Sequence, residues 1–343
     1  MASIQINQKN MRLLLASILF ITVLGCSKST GSITPVPPVP PVPPVVVAPL
    51  IKLPPGWKHD KSSTVNFPGN VQLYTFDSTW GGKQTRAYCF AYESSNTSLE
   101  FKPVMAAAAQ TPAAFVQQEP GTVYACINGG YFGSNQSYSL VKHNNVTGSP
   151  NIKLLSRPLG HYYPTRAAFG MLATGAPSAA WIYHIGSGNE NIQSYPVPSP
   201  NDVNLPPLAV PDAAFPAGGT TWNILSGIGG SPMLVYNNEI RISDKEELID
   251  INNATSRSRS AIGYNTAGIV LMVAVQGDNQ VPGYAGLNLQ ELAAMMKDLG
   301  CSHAMNLDGG GSTSMIVGGR QTVKPSATGV ERPVVSVLMI KRK

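Results

Sequence analysis

Residues 288–315 read NLQELAAMMKDLGCSHAMNLDGGGSTSM, and the order of signals within them decides how the chain is built. Asn288 with Glu291 three positions on makes a capping box, Leu289, Leu292, Met296 and Leu299 recur at helical spacing, and Gly300 closes the end. The spacing predicts a helix over 289–299 whose apolar stripe belongs to a core. A β-type run, Ser302 to Leu307, follows at once and stops at Asp308 and three consecutive glycines, Gly309 to Gly311. Three adjacent glycines give up backbone order that a strand would keep. They belong where the chain needs φ > 0 or where a ligand must come close to the main chain. Taken alone, the triplet reads equally well as a turn between strands, so its surroundings must decide.

The same order of helix, strand and glycine loop recurs upstream. Thr111-Pro112 supplies an N-cap followed by proline at the first helical position, Ala113 to Gln118 continue, and Pro120-Gly121 stop the helix. Val123 to Ile127 then read as a strand that ends in Asn128-Gly129-Gly130-Tyr131-Phe132. Between the two units, Ser258 to Tyr264 and Ile269 to Gln276 read as a hairpin turning at Asn265 to Gly268. If these strands share a sheet, their loop ends converge on one pocket. From Trp57 onward short β-type runs alternate with turn clusters and no internal repeat is apparent. The expected fold is α+β: a mixed β-sheet core flanked by a few helices, in a single large domain over 55–343.

Composition agrees. Of 343 residues, 43% are hydrophobic and only 12% charged, with 33 Gly and 29 Pro, which suits a strand- and loop-rich domain better than a helical bundle. The formal charge of +6 falls to +4 without Lys9 and Arg12 of the leader. The basic residues are scattered, with no stripe of interleaved aromatics, so nucleic acid is not an expected partner, and a small anionic substrate fits the charge equally well. Lys9 and Arg12 precede an apolar run, Leu13 to Val23, that is too short to span a bilayer comfortably. Val23-Leu24-Gly25-Cys26 resembles a bacterial lipobox. Residues 1–26 are thus expected to be a lipoprotein signal with Cys26 the lipidated residue, a plain secretory signal being the alternative. Residues 27–54 form a proline-rich spacer, where Pro35 to Pro49 repeat a Val-Pro-Pro pattern. In polyproline II, at about 3.1 Å per residue, it would hold the domain roughly 40 to 50 Å from its anchor. The expected place is the bacterial cell envelope, extracytoplasmic on the periplasmic or surface face, with membrane contact through the lipid anchor only. Cys89, Cys126 and Cys301 remain, an odd number that permits at most one disulfide, and each reads by default as a buried free thiol.

Five motifs in order give the chain a family likeness. Asn128 to Phe132, Gly229-Gly230-Ser231-Pro232-Met233-Leu234-Val235, Arg259-Ser260-Ala261-Ile262-Gly263, Asn306 to Ser314 and Arg332-Pro333-Val334 together resemble the motif set of the phosphodiester glycosidases, over roughly residues 100–341. The resemblance implies a hydrolase that cleaves the bond between an anomeric carbon and a phosphodiester oxygen, releasing the sugar from a glycan or glycolipid, with a carbohydrate phosphodiester as its partner. A glycosyl phosphate is already a good leaving group, so protonation of the departing oxygen matters less than in glycosidases with paired carboxylates. One carboxylate and an anion clamp suffice. Asp308 is the candidate nucleophile, base or oxocarbenium stabiliser, and Arg259 offers a planar fork for phosphate oxygens. N–H groups around Gly309, Gly310 and Gly311 suit an anion-binding nest. Asn128 and Asn306 are placed to bond sugar hydroxyls or to hold the loops, and Tyr131 to stack on a sugar face. Gly129, Gly130, Gly230, Ser231 and Ser312 complete the expected substrate-binding set. The plainer alternatives are a turn residue for Asn128, simple core for Tyr131 and a structural ion pair for Arg259.

The chain departs from the family pattern at Val275-Gln276-Gly277-Asp278, where Val-Asp-Gly-Arg is usual; both the acid and the following arginine are absent, and Asp278, two residues on, is the candidate to substitute catalytically. Ser258 and Ser260 stand where Pro and Thr are common. A glycan- or sugar-phosphate-binding lipoprotein of the same fold without chemistry is the alternative function, and a phosphodiesterase cutting P–O rather than C–O a third. No Gly-x-Ser-x-Gly elbow, phosphate loop or His-Glu-x-x-His is present. No cofactor and no metal is expected; a divalent ion between Asp278 and Asp308 is the arrangement that would change this, while Cys301 and His303 read as core.

Overall fold

Residues Ile269–Val275 read IVLMVAV and every one is buried. Successive side chains of a strand point to opposite faces, so Val270, Met272 and Ala274 enter one core while Leu271, Val273 and Val275 enter another. Such a strand must be covered on both sides. In the computed structural model, which describes residues 47–249, 251, 253–325 and 329–343, it is. The predicted signal, Cys26 and residues 27–46 of the spacer lie outside the described residues.

The strand lies inside an eight-stranded sheet ordered Trp57–His59, Val71–Trp80, Lys83–Glu93, Ile269–Val275, Arg259–Tyr264, His303–Asn306, Met233–Tyr236 and Glu239–Ile240. A five-stranded sheet runs Arg320–Gln321, Met315–Val317, Val123–Asn128, Val334–Arg342 and Leu99–Gln110, and a seven-stranded sheet is built around Pro177–His184, Arg166–Leu172 and Ile224–Gly229. The main core lies where the three meet: Phe90 and Met272 from the first, Ile127 and Leu338 from the second, Phe169 and Ile228 from the third. Two α-helices among the described residues cover outer faces. Helix α1, Pro112–Gln118, lays Phe115 against Cys126, Ile316 and Met339, and helix α2, Leu289–Asp298, lays Leu292 and Met296 on the other side of the large sheet.

Both helices start as the sequence predicts. The Thr111 hydroxyl accepts from Ala114 N at 3.2 Å. The reciprocal box is complete, with Glu291 N donating to Asn288 Oδ1 at 2.8 Å and Asn288 N to Glu291 Oε2 at 2.9 Å. Gly300, at φ +90°, ends α2 in the left-handed region that favours glycine.

Two expectations change. The domain is sheet-dominated, and the sheets are not mixed: every strand pairing among the described residues is antiparallel. The cause is strand insertion. Helix α2 connects Ile269–Val275 to His303–Asn306, which run in the same direction, but Arg259–Tyr264 lies between them and pairs antiparallel with both. Helix α1 likewise joins Leu99–Gln110 to Val123–Asn128, and the C-terminal strand Val334–Arg342 takes the position between. In addition, the end of the proline segment belongs to the folded unit, which begins at Val47. Leu50 N donates to Gln72 Oε1 at 3.0 Å and to Tyr74 Oη at 2.8 Å, and Ile51 is buried beside Trp57. Cys89, Cys126 and Cys301 are free and buried.

Candidate active site

Strand ends from all three sheets meet at Asp308. Asn128 closes Val123–Asn128, Asn306 closes His303–Asn306, Arg259 opens Arg259–Tyr264, and Gly230-Ser231 follow Ile224–Gly229. The loops are stitched through their backbones: Asp308 N donates to Gly129 O at 3.2 Å, Ser231 N to Asn306 O at 2.9 Å, Gly129 N to Ser336 O at 2.8 Å and Gly310 N to Ser258 O at 2.8 Å. Glycine is required at two of these crossings for want of space. A Cβ on Gly230 would stand 2.2 Å from Asn306 O, and one on Gly130 would stand 2.3 Å from Gly229 O.

Asn128 is the buried knot. Its Oδ1 accepts from Ser260 Oγ at 2.6 Å and Ser314 N at 3.2 Å, and its Nδ2 donates to Asp308 O at 2.7 Å and Gly129 O at 3.1 Å. It therefore holds loops. Asn306 is used on one side only. Its Nδ2, with two hydrogens to give, lies within reach of three acceptors, Tyr131 Oη at 2.7 Å, Ser231 O at 2.8 Å and Leu307 O at 2.6 Å, while its Oδ1 is buried with no partner. Tyr131 in turn donates to Ser231 O at 2.7 Å, so its hydroxyl serves as a pin and its own pKa is driven up by burial.

Asp308 carries the strongest chemical signal. Burial pushes its carboxyl up to about 6, against the pull of the Ser312 hydroxyl, the Gly309 N–H and the Arg332 guanidinium. Gly309 N reaches its Oδ1 at 2.8 Å. Gly310, at φ +56°, begins a short 3₁₀ turn through Ser312. With the Gly309 N–H on Asp308 and the Gly310 N–H on Ser258, the expected open nest of glycine amides is largely occupied.

Arg259 is buried, with Nε on Leu287 O and Nη2 on Thr255 O, both at 3.0 Å. Asp278 lies one link from the loop: its Oδ2 accepts from Ser258 N at 3.1 Å, and Ser258 O receives Gly310. Gln276 faces elsewhere, pairing at two points with the backbone of Lys324. The Ser231 hydroxyl donates to Glu247 at 2.6 Å rather than facing a ligand. Among the described residues no three His, Cys, Asp or Glu side chains gather as a metal-ligand set.

Sequence reasoning assigned no role to four residues that matter. Arg332, quoted in a motif, is solvent-exposed, and its guanidinium lies over Gly311, where a Cβ would stand 2.2 Å from Nη2. Arg257 approaches Gly310 from another side. Glu331 binds Ser314 Oγ at 2.6 Å. Glu247 is wholly buried and accepts from Ala167 N, Ser231 Oγ, Met233 N, Trp181 Nε1 and Ser243 Oγ. It anchors the Ser231 turn against the seven-stranded sheet. Nothing in the polar run around Glu247 distinguishes it from a solvated loop. Arg332 was open to discovery through its motif.

The site is thus a perturbed carboxylate with an arginine acting on it, on loops drawn from three antiparallel sheets. The chain belongs to the phosphodiester glycosidase family, whose model (NAGPA) matches residues 121–341 and so takes in every motif described above. Two solved structures share the fold. One is a hypothetical protein from Synechocystis, 18% identical with a TM-score of 0.59 over 81% of this chain; the chain spans 63% of that protein. The other is the catalytic domain of zebrafish N-acetylglucosamine-1-phosphodiester alpha-N-acetylglucosaminidase auto-inhibited by its pro-peptide, 16% identical with a TM-score of 0.53 over 84% of this chain and 85% of that one. No curated protein sequence matches the chain.

Proposed function

We propose that the protein hydrolyses a sugar-1-phosphodiester of a glycan or glycolipid at the bond between the anomeric carbon and the phosphodiester oxygen. Water supplies the new hydroxyl of the free sugar, and the remainder leaves as a phosphomonoester. The observation that carries this reading is Asp308, held near a pKa of 6 on the family's glycine loop with Arg332 acting on it. At neutral pH the carboxylate is ionised. Because the leaving phosphate needs little protonation, an ionised group is the useful one, either as nucleophile at the anomeric carbon or as stabiliser of the oxocarbenium ion. Buried polar atoms without partners cluster on the same loops, namely Asn306 Oδ1, Thr313 Oγ1, Ser258 Oγ, Ser336 Oγ and Arg257 Nε. Unpaired buried groups are costly, and sugar hydroxyls are the kind of ligand that would satisfy them. The protein acts outside the cytoplasm, held to the cell envelope by a lipid on Cys26.

The direct test incubates the protein with a panel of sugar-1-phosphodiesters and follows free sugar. Asp308→Ala should lower turnover by roughly a thousandfold or more while the fold is retained. Labelled water should enter the sugar; label in phosphate would mean P–O cleavage and sink the proposal, as would an intact wild-type protein that releases nothing. A second reading, a sugar-phosphate-binding lipoprotein of the same fold, draws on Gln276, a neutral amide where the family usually carries an acid; saturable binding without product selects it. Cys26→Ser should release the protein from membranes, and continued membrane retention with no lipid on the wild-type chain would refute the anchor.

A further inference from the structure

The proposed reaction needs a cation on its phosphate, and the residue that sequence reasoning chose is already engaged. Two donors of Arg259 rest on the carbonyls of Leu287 and Thr255 in a buried setting. The N–H groups of Gly309 and Gly310 are likewise occupied. Arg332 differs on every count. It is exposed, it acts electrostatically on Asp308, and its guanidinium lies against the bare face of Gly311, with Nη2, Cζ and Nε at 2.2, 2.4 and 2.8 Å from where a Cβ would stand. Any side chain at position 311 would drive the guanidinium away.

We propose that Arg332 is the residue that grips the phosphodiester, and that its neighbour Glu331 is a positioning residue that sets it over the glycine loop. The inference rests on the proposed reaction only for the identity of its ligand.

Glu331, the adjacent acidic residue, is turned to partners other than Arg332. Its Oε1 accepts from Ser314 Oγ at 2.6 Å and Gln321 Nε2 at 3.1 Å, and its Oε2 accepts from Ala113 N at 3.1 Å. These bonds fasten residue 331 to the strand after the glycine loop and to the start of helix α1. They leave the positive charge of Arg332 available to an anion.

Gln276, where the family usually carries an acid, is bonded to the backbone of Lys324. Its Nε2 donates to Lys324 O at 3.0 Å and its Oε1 accepts from Lys324 N at 2.7 Å. A primary amide can do both at once because it carries a donor and an acceptor in one plane, whereas a carboxylate accepts only. The usual family aspartate would take the N–H and face the carbonyl without a hydrogen to give. The amide at Gln276 is thus used to hold the Lys324 backbone, and the departure there is not by itself a loss of chemistry.

The experiment is titration calorimetry of inorganic phosphate into the detergent-solubilised full chain. Wild type should bind saturably. Arg332→Ala should weaken the affinity by about ten- to a hundredfold, the worth of a charge-assisted hydrogen-bonding pair, and Arg332→Lys should fall between because it keeps the charge and loses the fork. Glu331→Ala should weaken phosphate binding as well, and the double variant should lose no more than Arg332→Ala alone, since one residue works through the other. Saturable binding in wild type that Arg332→Ala leaves unchanged overturns the proposal, as does wild type with no saturable binding. Losses that add in the double variant overturn the positioning role of Glu331. If the phosphate losses appear as expected while no diester yields sugar, the anion site stands and the hydrolase reading falls.

Discussion

Replacing Asp308 with asparagine should make the folded protein more stable at neutral pH while removing its activity. The carboxyl titrates at 3.8 in an unperturbed chain and at about 6 in the folded one, because burial disfavours its charge more than Ser312, Gly309 and Arg332 favour it. Below 3.8 the group is protonated in both states and contributes nothing to the balance. Between 3.8 and about 6 the folded chain keeps a proton that the unfolded chain has released, so stability falls as pH rises through that window. Above it the loss is complete. At about 1.36 kcal/mol per pH unit of displacement it amounts to about 2 to 3 kcal/mol, the lower figure allowing for the partial exposure of Asp308. Asparagine carries no charge and still offers an oxygen to the Gly309 N–H. Urea unfolding of wild type and Asp308→Asn across pH 3.5 to 7.5 should therefore give a stability difference near zero in acid that grows to about 2 to 3 kcal/mol in favour of the variant. A variant no more stable than wild type at pH 7.5, or a difference that does not change with pH, would show that the carboxylate is well solvated and would remove the physical basis for assigning it the chemistry.

The remaining expectations are smaller in scope. If ionised Asp308 is the working form, kcat/KM on a cleaved diester rises through a midpoint near 6 and levels off above it; a rate that falls across that range makes the protonated acid the active species. Gly230→Ala should cost about 1 to 3 kcal/mol in unfolding experiments, because its Cβ meets the fixed Asn306 carbonyl. In Gly311→Ala the nearest atoms to the new Cβ belong to the movable Arg332 side chain, so stability should stay within about 0.5 kcal/mol while phosphate affinity drops. Glu247→Ala leaves five donors without their acceptor and should cost about 3 to 5 kcal/mol by thermal or urea unfolding; a near-neutral result would mean that water replaces the carboxylate.

What could be read from the chain was local. The caps at Thr111 and Asn288, the hairpin turning at Asn265 to Gly268 and the ends of the strands leading to Asn128 and Asn306 all follow from chemistry within a few residues, and each is found where the pattern puts it. The antiparallel character of the sheets was hidden because it depends on which distant strand enters between two others. Val334–Arg342 and Val123–Asn128 are far apart in sequence, and nothing in either announces the pairing. Glu247 was hidden for the same reason. Its partners at Ala167, Trp181, Ser231 and Ser243 come from several segments, and only their assembly turns an ordinary acidic residue into a buried anchor.

The two asparagines show where local pattern stops deciding function. Asn128 and Asn306 each close a strand that follows a helix, and each precedes a glycine loop, so from sequence they are interchangeable as sugar contacts or loop braces. The folded chain separates them by what each amide has left to offer. Asn128 uses both its oxygen and its nitrogen on protein groups, the Asp308 carbonyl among them, and any sugar hydroxyl would have to displace a bond that shapes the loop. Asn306 uses its nitrogen in the same way yet keeps a buried oxygen without a donor. A hydrogen-bonding ligand gains most where a desolvated acceptor is already waiting, since the cost of burying that acceptor is borne by the folded protein before the ligand arrives. By the same reasoning Arg332, with an exposed guanidinium, is better suited to a phosphate than Arg259, whose Nε and Nη2 already rest on carbonyls. The candidate site is thus defined by unspent hydrogen-bonding capacity next to Asp308, and the motif residues that have spent theirs form the frame that holds it.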